Sequence, residues 1–310
     1  MNNMQLKKLN YKGWANCYRM SNGLVELIAT TDVGPRLIRF GFAGDDNEFK
    51  EFEEMLGQTG GNEWRNYGGH RLWHAPEAMP RTYSPDNSPV NLEKGDGFVR
   101  LVQPPEPATG IQKEMDISLV PDTAQAVVTH RLRNFNMWAV KLAPWALTVL
   151  ASSGVAIVPL PPRGPHPENL RPTSALTLWA YTDMSDPRWT WGRQYLLLHQ
   201  DPEANTPQKI GLHDSDGWAA YARNGHLFVK TFDYQQDVAY PDFNSTVEVF
   251  TDAQILEVET LGPLVELAPG ATAEHVERWF LFRDVPAPED DVGVEEHVLP
   301  KIKAALKNKS

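Results

Sequence analysis

Residues 255–282, ILEVETLGPLVELAPGATAEHVERWFLF, decide the fold. The stretch reads as strand, turn, strand, loop, strand. Apolar residues alternate along it, Val258, Leu267, Trp279 and Leu281 among them, and Pro269-Gly270 breaks it. Glu257 and Glu259 sit two apart, so their side chains share one face of a strand. A face with two carboxylates beside Gly262-Pro263 is either a solvated outer face or the wall of a polar cleft.

The same period-two alternation runs outward through the chain. It marks residues 14–20, 24–30, 36–42, 98–103, 111–120, 126–134, 143–150, 156–159, 176–179, 195–199, 218–223, 226–234 and 245–251. Turn signals recur about every 8–12 residues, the spacing of an all-β sandwich or barrel. Asn224-Gly225 between two such runs is a two-residue hairpin turn. Two segments read as long loops, 58–89 and the proline-rich 159–172, and loops of that length are more often functional than decorative. Helical patterns are few. A short acidic one covers 47–56. A clearer one begins at Glu289, with Val294, Val298, Ile302 and Leu306 on one face and Pro300 forcing a kink or a second piece. The expected organisation is one β domain over 1–288 and a C-terminal helix, 289–310, packed on it.

The bulk numbers narrow the function. The 310 residues are 41% hydrophobic, enough for a large core, with 25 prolines and 22 glycines spread along the chain as turns. A net charge of −11 with no basic stripe disfavours nucleic acid and anionic membranes as partners. No apolar run is long enough to span a bilayer, and the polar start MNNMQLKKLNYKGW has no hydrophobic signal core. The single cysteine, Cys17, excludes an intrachain disulfide and fits a reducing, cytoplasmic setting as a small buried hydrophobe. Ten tryptophans are mostly core, but some can serve as platforms for the apolar face of a pyranose.

Two constellations carry chemistry. Residues 66–77, NYGGHRLWHAPE, bring Asn66, His70, Arg71, Trp73, His74 and Glu77 together. A zinc reading would use His70, His74 and Glu77, but histidines four apart share a face only on a helix, which Gly68-Gly69 and Pro76 oppose. A surface loop without a role and a polar site for a polyhydroxylated ligand are the other two readings. Glu248 lies one hairpin away from the closing strand, placed near Glu257 across a turn at 251–254, where like charges would raise one carboxyl's proton affinity. Phosphate-binding, dinucleotide, nucleophile-elbow and triad signals are absent.

Taken together, DVGPRLIRFGF (32–42), NYGGHRLWHAPE, RNFNMWAVKLAPWALTVLASSG (133–154) and the closing ILEVETLGPLVELAPG with EHVERWFLF resemble the galactose mutarotase-like superfamily of aldose 1-epimerases and their relatives. The resemblance covers most of the chain. It implies a mostly antiparallel β-supersandwich, a small-molecule sugar or sugar derivative as ligand, and no metal or organic cofactor. It implies interconversion of anomers by general acid–base catalysis, with Glu259 at the place of the catalytic glutamate. It implies Arg71, Asn66, Arg36, Trp73, Glu248 and Trp145 as substrate-binding groups. One departure stands out: where the family carries an acidic histidine in its central strand pair, this chain has Ala143-Pro144-Trp145-Ala146-Leu147, and Asp96-Gly97-Phe98 replaces a His-Gly-Phe motif. His74 and His70 are the nearest candidates for the acid. A non-catalytic carbohydrate-binding protein on the same scaffold, monomer or homodimer, is the alternative. A metal-dependent barrel of the cupin type is disfavoured, because its clustered His-X-His is missing.

Overall fold

The computed structural model describes residues 4–307. Two antiparallel sheets face each other. The eleven-stranded sheet runs Gln5–Tyr11, Trp14–Ser21, Val25–Thr30, Arg36–Phe42, Gly69–Ala75, Val140–Leu150, Leu256–Leu261, Val247–Thr251, Gln208–Leu212, Leu176–Leu178, with Val265–Leu267 paired onto Val140–Leu150. The ten-stranded sheet runs Trp189–Trp191, Tyr195–His199, Val155–Pro159, Trp218–Arg223, His226–Phe232, Thr272–Phe282, Gln125–Asn134, Ile111–Leu119, Val99–Val102, Asn91–Lys94. The expected all-β supersandwich with a C-terminal helix is the architecture found.

Strand parity explains the layering. Leu72, Leu150, Val249, Val258 and Ile210 of the first sheet interdigitate with Met115, Val128, Phe228 and Trp279 of the second to fill the inter-sheet core. The ten-stranded sheet is apolar on its outer face as well, through Ile157, Leu197, Trp218 and Val229, and the C-terminal helical segment covers that face with Val294, Val298, Ile302 and Ala305. That segment begins at Asp291 and ends at Lys307; residues 308–310 of the expected helix, like residues 1–3 of the expected domain, lie outside the described residues. Its middle turn is π-helical, with the Leu299 N–H reaching Val294 O, and Pro300 follows where no tight turn precedes it. No helix among the described residues is long and apolar enough to cross a membrane.

Asn224 (φ 51°) and Gly225 (φ 77°) form the expected turn, since both central residues must take positive φ. Two expectations fail. Residues 47–56 are not helical; they make single bridges, Phe49 to Leu150 and Glu51 to Gly68, and a turn. Residues 58–89 are not all loop, because Gly69–Ala75 is a central strand buried on both faces. Its polar residues hide the alternation that marks other strands. A Cβ at Gly69 would lie 2.2 Å from Leu37 O, so only glycine lets this strand enter the sheet there.

Candidate functional site

The outer face of the eleven-stranded sheet holds the site. Four of its strands align Arg71, Leu147, Glu259 and Glu248 in one cross-strand row, and Trp73 pairs with Trp145 in the next. Phe250 lies between Glu257 and Lys209 on a third. All of these point away from the inter-sheet core, because residues two apart on a strand share a face. Glu248 is therefore opposite Glu259, not Glu257. The turn is Asp252–Ile255, fixed by the Asp252 carboxylate accepting from Gln254 N (2.7 Å) and Ile255 N (3.0 Å), which shifts the partner by two residues.

Above this face lies a cavity of about 250 Å³, walled by Trp64, Trp73, Tyr83, Trp145 and Tyr181. Asn66, Arg71, Glu77, Lys209, Asp252 and Glu257 supply its polar lining. The Arg71 guanidinium lies 4.5 Å from the Trp73 ring centroid and donates to Glu257 at 3.0 Å. Lys209 is the hub of the floor. Its ammonium is 2.8 Å from Glu248 and 3.1 Å from Glu259, and 4.7 Å from the ring centroids of both Trp145 and Trp179. Trp145 Nε1 donates to Glu259 at 2.8 Å. Aromatic faces beside charged hydrogen-bonding groups are the chemistry that binds sugars, stacking on C–H surfaces while the polar groups meet hydroxyls.

The charges are uneven. Burial raises the proton affinity of Glu248 well above the carboxylate range, with Lys209 opposing and Glu259 adding to it. Burial also raises Glu257, against the pull of Arg71. Burial alone would lower Lys209, but the Glu248 and Glu259 carboxylates outweigh it and hold the ammonium charged. Trp64 Nε1, Arg71 Nε and both Glu248 oxygens are buried without a protein hydrogen bond, although the Lys209 ammonium stands close to one of those oxygens. A cluster with unpaired donors and acceptors around a cavity is arranged to meet a polar ligand.

The sequence-derived candidates separate by face. Arg71, Asn66, Trp73 and Trp145 line the cavity, while Glu259 and Glu248 are fully buried beneath Lys209 and are not among its lining residues. Arg36 is fully buried beside it, tied to Asp86 (2.7 Å) and to Gly68 O (2.7 Å). His70 and His74 are on the opposite face of their strand, turned into the sandwich and away from Glu259, so neither reaches the cavity. Lys209 and the walls Trp64 and Tyr83 escaped the sequence reading. The alternation of Lys209 and Gly211 with Ile210 and Leu212 is the signal that could have placed Lys209 on a strand.

His70 belongs to a second polar cluster between the sheets. Its Nε2, His130 Nε2 and a Glu277 oxygen lie within 4.8 Å of one another, the one such potential metal-ligand group among the described residues. Tautomers account for it. His130 Nδ1 faces the His275 carbonyl at 3.0 Å and must donate, so its Nε2 accepts from His70 Nε2–H at 2.7 Å, and His70 Nδ1 accepts from the Thr148 hydroxyl at 2.8 Å. Burial holds both imidazoles below the usual histidine range. Glu277 meets Lys230 at 2.6 Å and Trp279 Nε1 at 2.8 Å. His74 has its own partner there, Glu106, at 3.4 Å.

No protein-family model and no curated protein sequence matches the chain. Solved structures do. An aldose 1-epimerase candidate from Klebsiella pneumoniae superposes with a TM-score of 0.60 at 12% identity, over 97% of this chain and 87% of that one. A galactose mutarotase-like protein from Lactobacillus casei gives 0.55 at 10% identity, over 86% and 100%. A TPR-domain-containing protein from Parabacteroides distasonis gives 0.57 at 14% identity over 88% of this chain, which spans about half (48%) of that protein's length. The chain has the galactose mutarotase-like fold.

Proposed function

We propose that the protein binds a free sugar or small sugar derivative in the cavity over Trp73 and Trp145 and interconverts its anomers by proton transfer. The observation that carries this reading is an aromatic-walled cavity with Glu257 in its wall and Glu259 directly behind Trp145, whose Nε1 it accepts from. A buried carboxyl whose proton affinity is raised is suited to give a proton near neutral pH. Glu259 Oε1, met by Lys209 at only 3.4 Å, takes the proton of the anomeric hydroxyl. Glu257, whose proton affinity burial raises, gives a proton to the ring oxygen. The bond from C1 to the ring oxygen breaks, the C1–C2 bond rotates, and the reverse transfers close the ring on its other face. The acid in this scheme is a carboxyl, in place of the sequence candidates His70 and His74. No metal or organic cofactor takes part. The reading carries with it a cytoplasmic setting, a monomer or homodimer, and no nucleic-acid or membrane partner.

One observation favours a non-catalytic sugar-binding protein instead. Among the described residues no histidine lines the cavity, and Glu259 already accepts from both Trp145 and Lys209. Polarimetry on a panel of free aldoses and aldose derivatives separates the two readings. Catalysis predicts mutarotation above the spontaneous rate, lost in Glu257→Gln. A sugar that binds while its anomers exchange only at the spontaneous rate makes the protein a binder.

A further inference from the structure

A larger cavity, of about 700 Å³, opens where both sheets end. Leu176 of one edge strand and Trp191 of the other stand on its sides, and the proline-rich segment 160–164 closes it. Three arginines line it, Arg163, Arg171 and Arg193, and no Asp or Glu does. The chain as a whole carries 40 acidic residues against 29 basic ones, so a lining with three arginines and, among the described residues, no acid runs against its composition. Among the described residues, none of the three forms an ion pair with a carboxylate. Arg163 Nε donates to the Arg193 carbonyl at 3.1 Å, anchoring one arginine on another's backbone. The nearby acids, Asp216 and Asp291, face an adjoining cavity that shares Arg163 and Arg193. Asp291 is occupied there. Its carboxylate accepts from the backbone N–H groups of Arg193 (2.7 Å), Gln194 (3.2 Å) and Tyr195 (3.2 Å), and so fixes the segment that presents Arg193. Trp191 spends its indole N–H on Met184 O at 3.1 Å and remains 39% exposed.

Arginines that line one cavity without an ion-pair partner repel one another, and an oxyanion relieves that repulsion while accepting two parallel N–H bonds from a single arginine. A ring face such as that of Trp191 adds apolar contact for a flat body. We propose that this cavity is a second binding site, for a small molecule bearing a carboxylate or a phosphate, with Trp191 beneath its body. The site is independent of the sugar reading of the first cavity.

The test follows the Trp191 indole N–H resonance during titration with inorganic phosphate, a hexose 6-phosphate, a hexuronate and a neutral hexose. Saturable movement with a phosphate-bearing or carboxylate-bearing probe is expected, and whichever anion acts identifies the group recognised. The neutral hexose should leave Trp191 in place. Raising the salt should weaken the anion, and Arg171→Gln with Arg193→Gln should weaken it roughly tenfold or more. If that double variant loses its native spectrum, the salt dependence in the wild-type protein decides. An unmoved Trp191 with every anionic probe, equal response to the neutral hexose, or equal affinity in a folded double variant would overturn the proposal.

Discussion

The eleven-stranded sheet separates two buried polar clusters, one between the sheets against its inner face and one on its outer face, and they differ in closure. On the inner face His70, His130, Lys230 and Glu277 are fully buried and mutually satisfied, with Lys230 also donating to Ala146 O (3.3 Å) and Val258 O (3.1 Å). On the outer face Arg71, Lys209, Glu248, Glu257 and Glu259 are almost as buried, yet donors and acceptors among them and their neighbour Trp64 lack protein partners, and a cavity lies above. Formal charge does not distinguish the two, since both hold carboxylates and cations. Closure does. The closed cluster stitches the central strands from behind, and the open one faces whatever enters the cavity.

The largest effect should come from breaking the closed cluster. Lys230→Met leaves Glu277 buried without its cation and should cost about 3–5 kcal/mol of stability in chemical denaturation. Adding Glu277→Leu should restore part of the loss. Equal stability of the single variant and the wild type would mean the inner cluster is not closed. Next, Glu257→Gln should slow anomer exchange by about 10²-fold while sugar affinity stays within a few-fold, because a proton carrier acts in the transition state. Its stability should change far less than that of Lys230→Met.

Acid separates the clusters too. Burial holds His275, with its neighbours His70 and His130, in the neutral form, His275 down to about 3 from an ordinary 6.5. The unfolded chain takes up protons on these rings below pH 6.5, whereas the folded one does not. For His275 the contribution is therefore full above that pH and falls as pH drops from about 6.5 toward 3, by up to ~1.4 kcal/mol per pH unit, and His70 and His130 act in the same direction. His275→Gln should flatten the slope in pH-dependent denaturation, and an unchanged slope would remove this cluster as its source. The smallest effect is expected at Trp73→Phe. The ring stays apolar but loses part of the Arg71 platform, at a cost near ~0.5–1 kcal/mol in sugar affinity by calorimetry.

The inner and outer faces were not equally legible in the sequence. Residues 255–282 announced themselves because Leu256–Leu261 and Thr272–Phe282 alternate apolar with polar side chains, and the shared face of Glu257 and Glu259 followed from parity. Gly69–Ala75 did not, because a strand covered on both sides loses that alternation, and without it His70 and His74 could not be assigned to the inner face. Lys209 sits in TPQKIGLHDSDG, where a single lysine among turn-forming residues reads as solvated. Only the pairing of Gln208–Leu212 with Val247–Thr251 brings it over two glutamates. Side-chain periodicity is local, whereas the registers that assemble this site join segments far apart in the chain.

The account's central claim is that the open cluster, and not the closed one, receives the ligand. Indole N–H resonances report on both at once, since Trp64 Nε1 and Trp145 Nε1 lie at the cavity while Trp279 Nε1 donates into the inner cluster. A titration with the aldose panel should move the Trp64 and Trp145 signals in a saturable way and leave Trp279 in place. Movement of Trp279 together with them, or no movement of either cavity indole with any sugar on the panel, would contradict the claim.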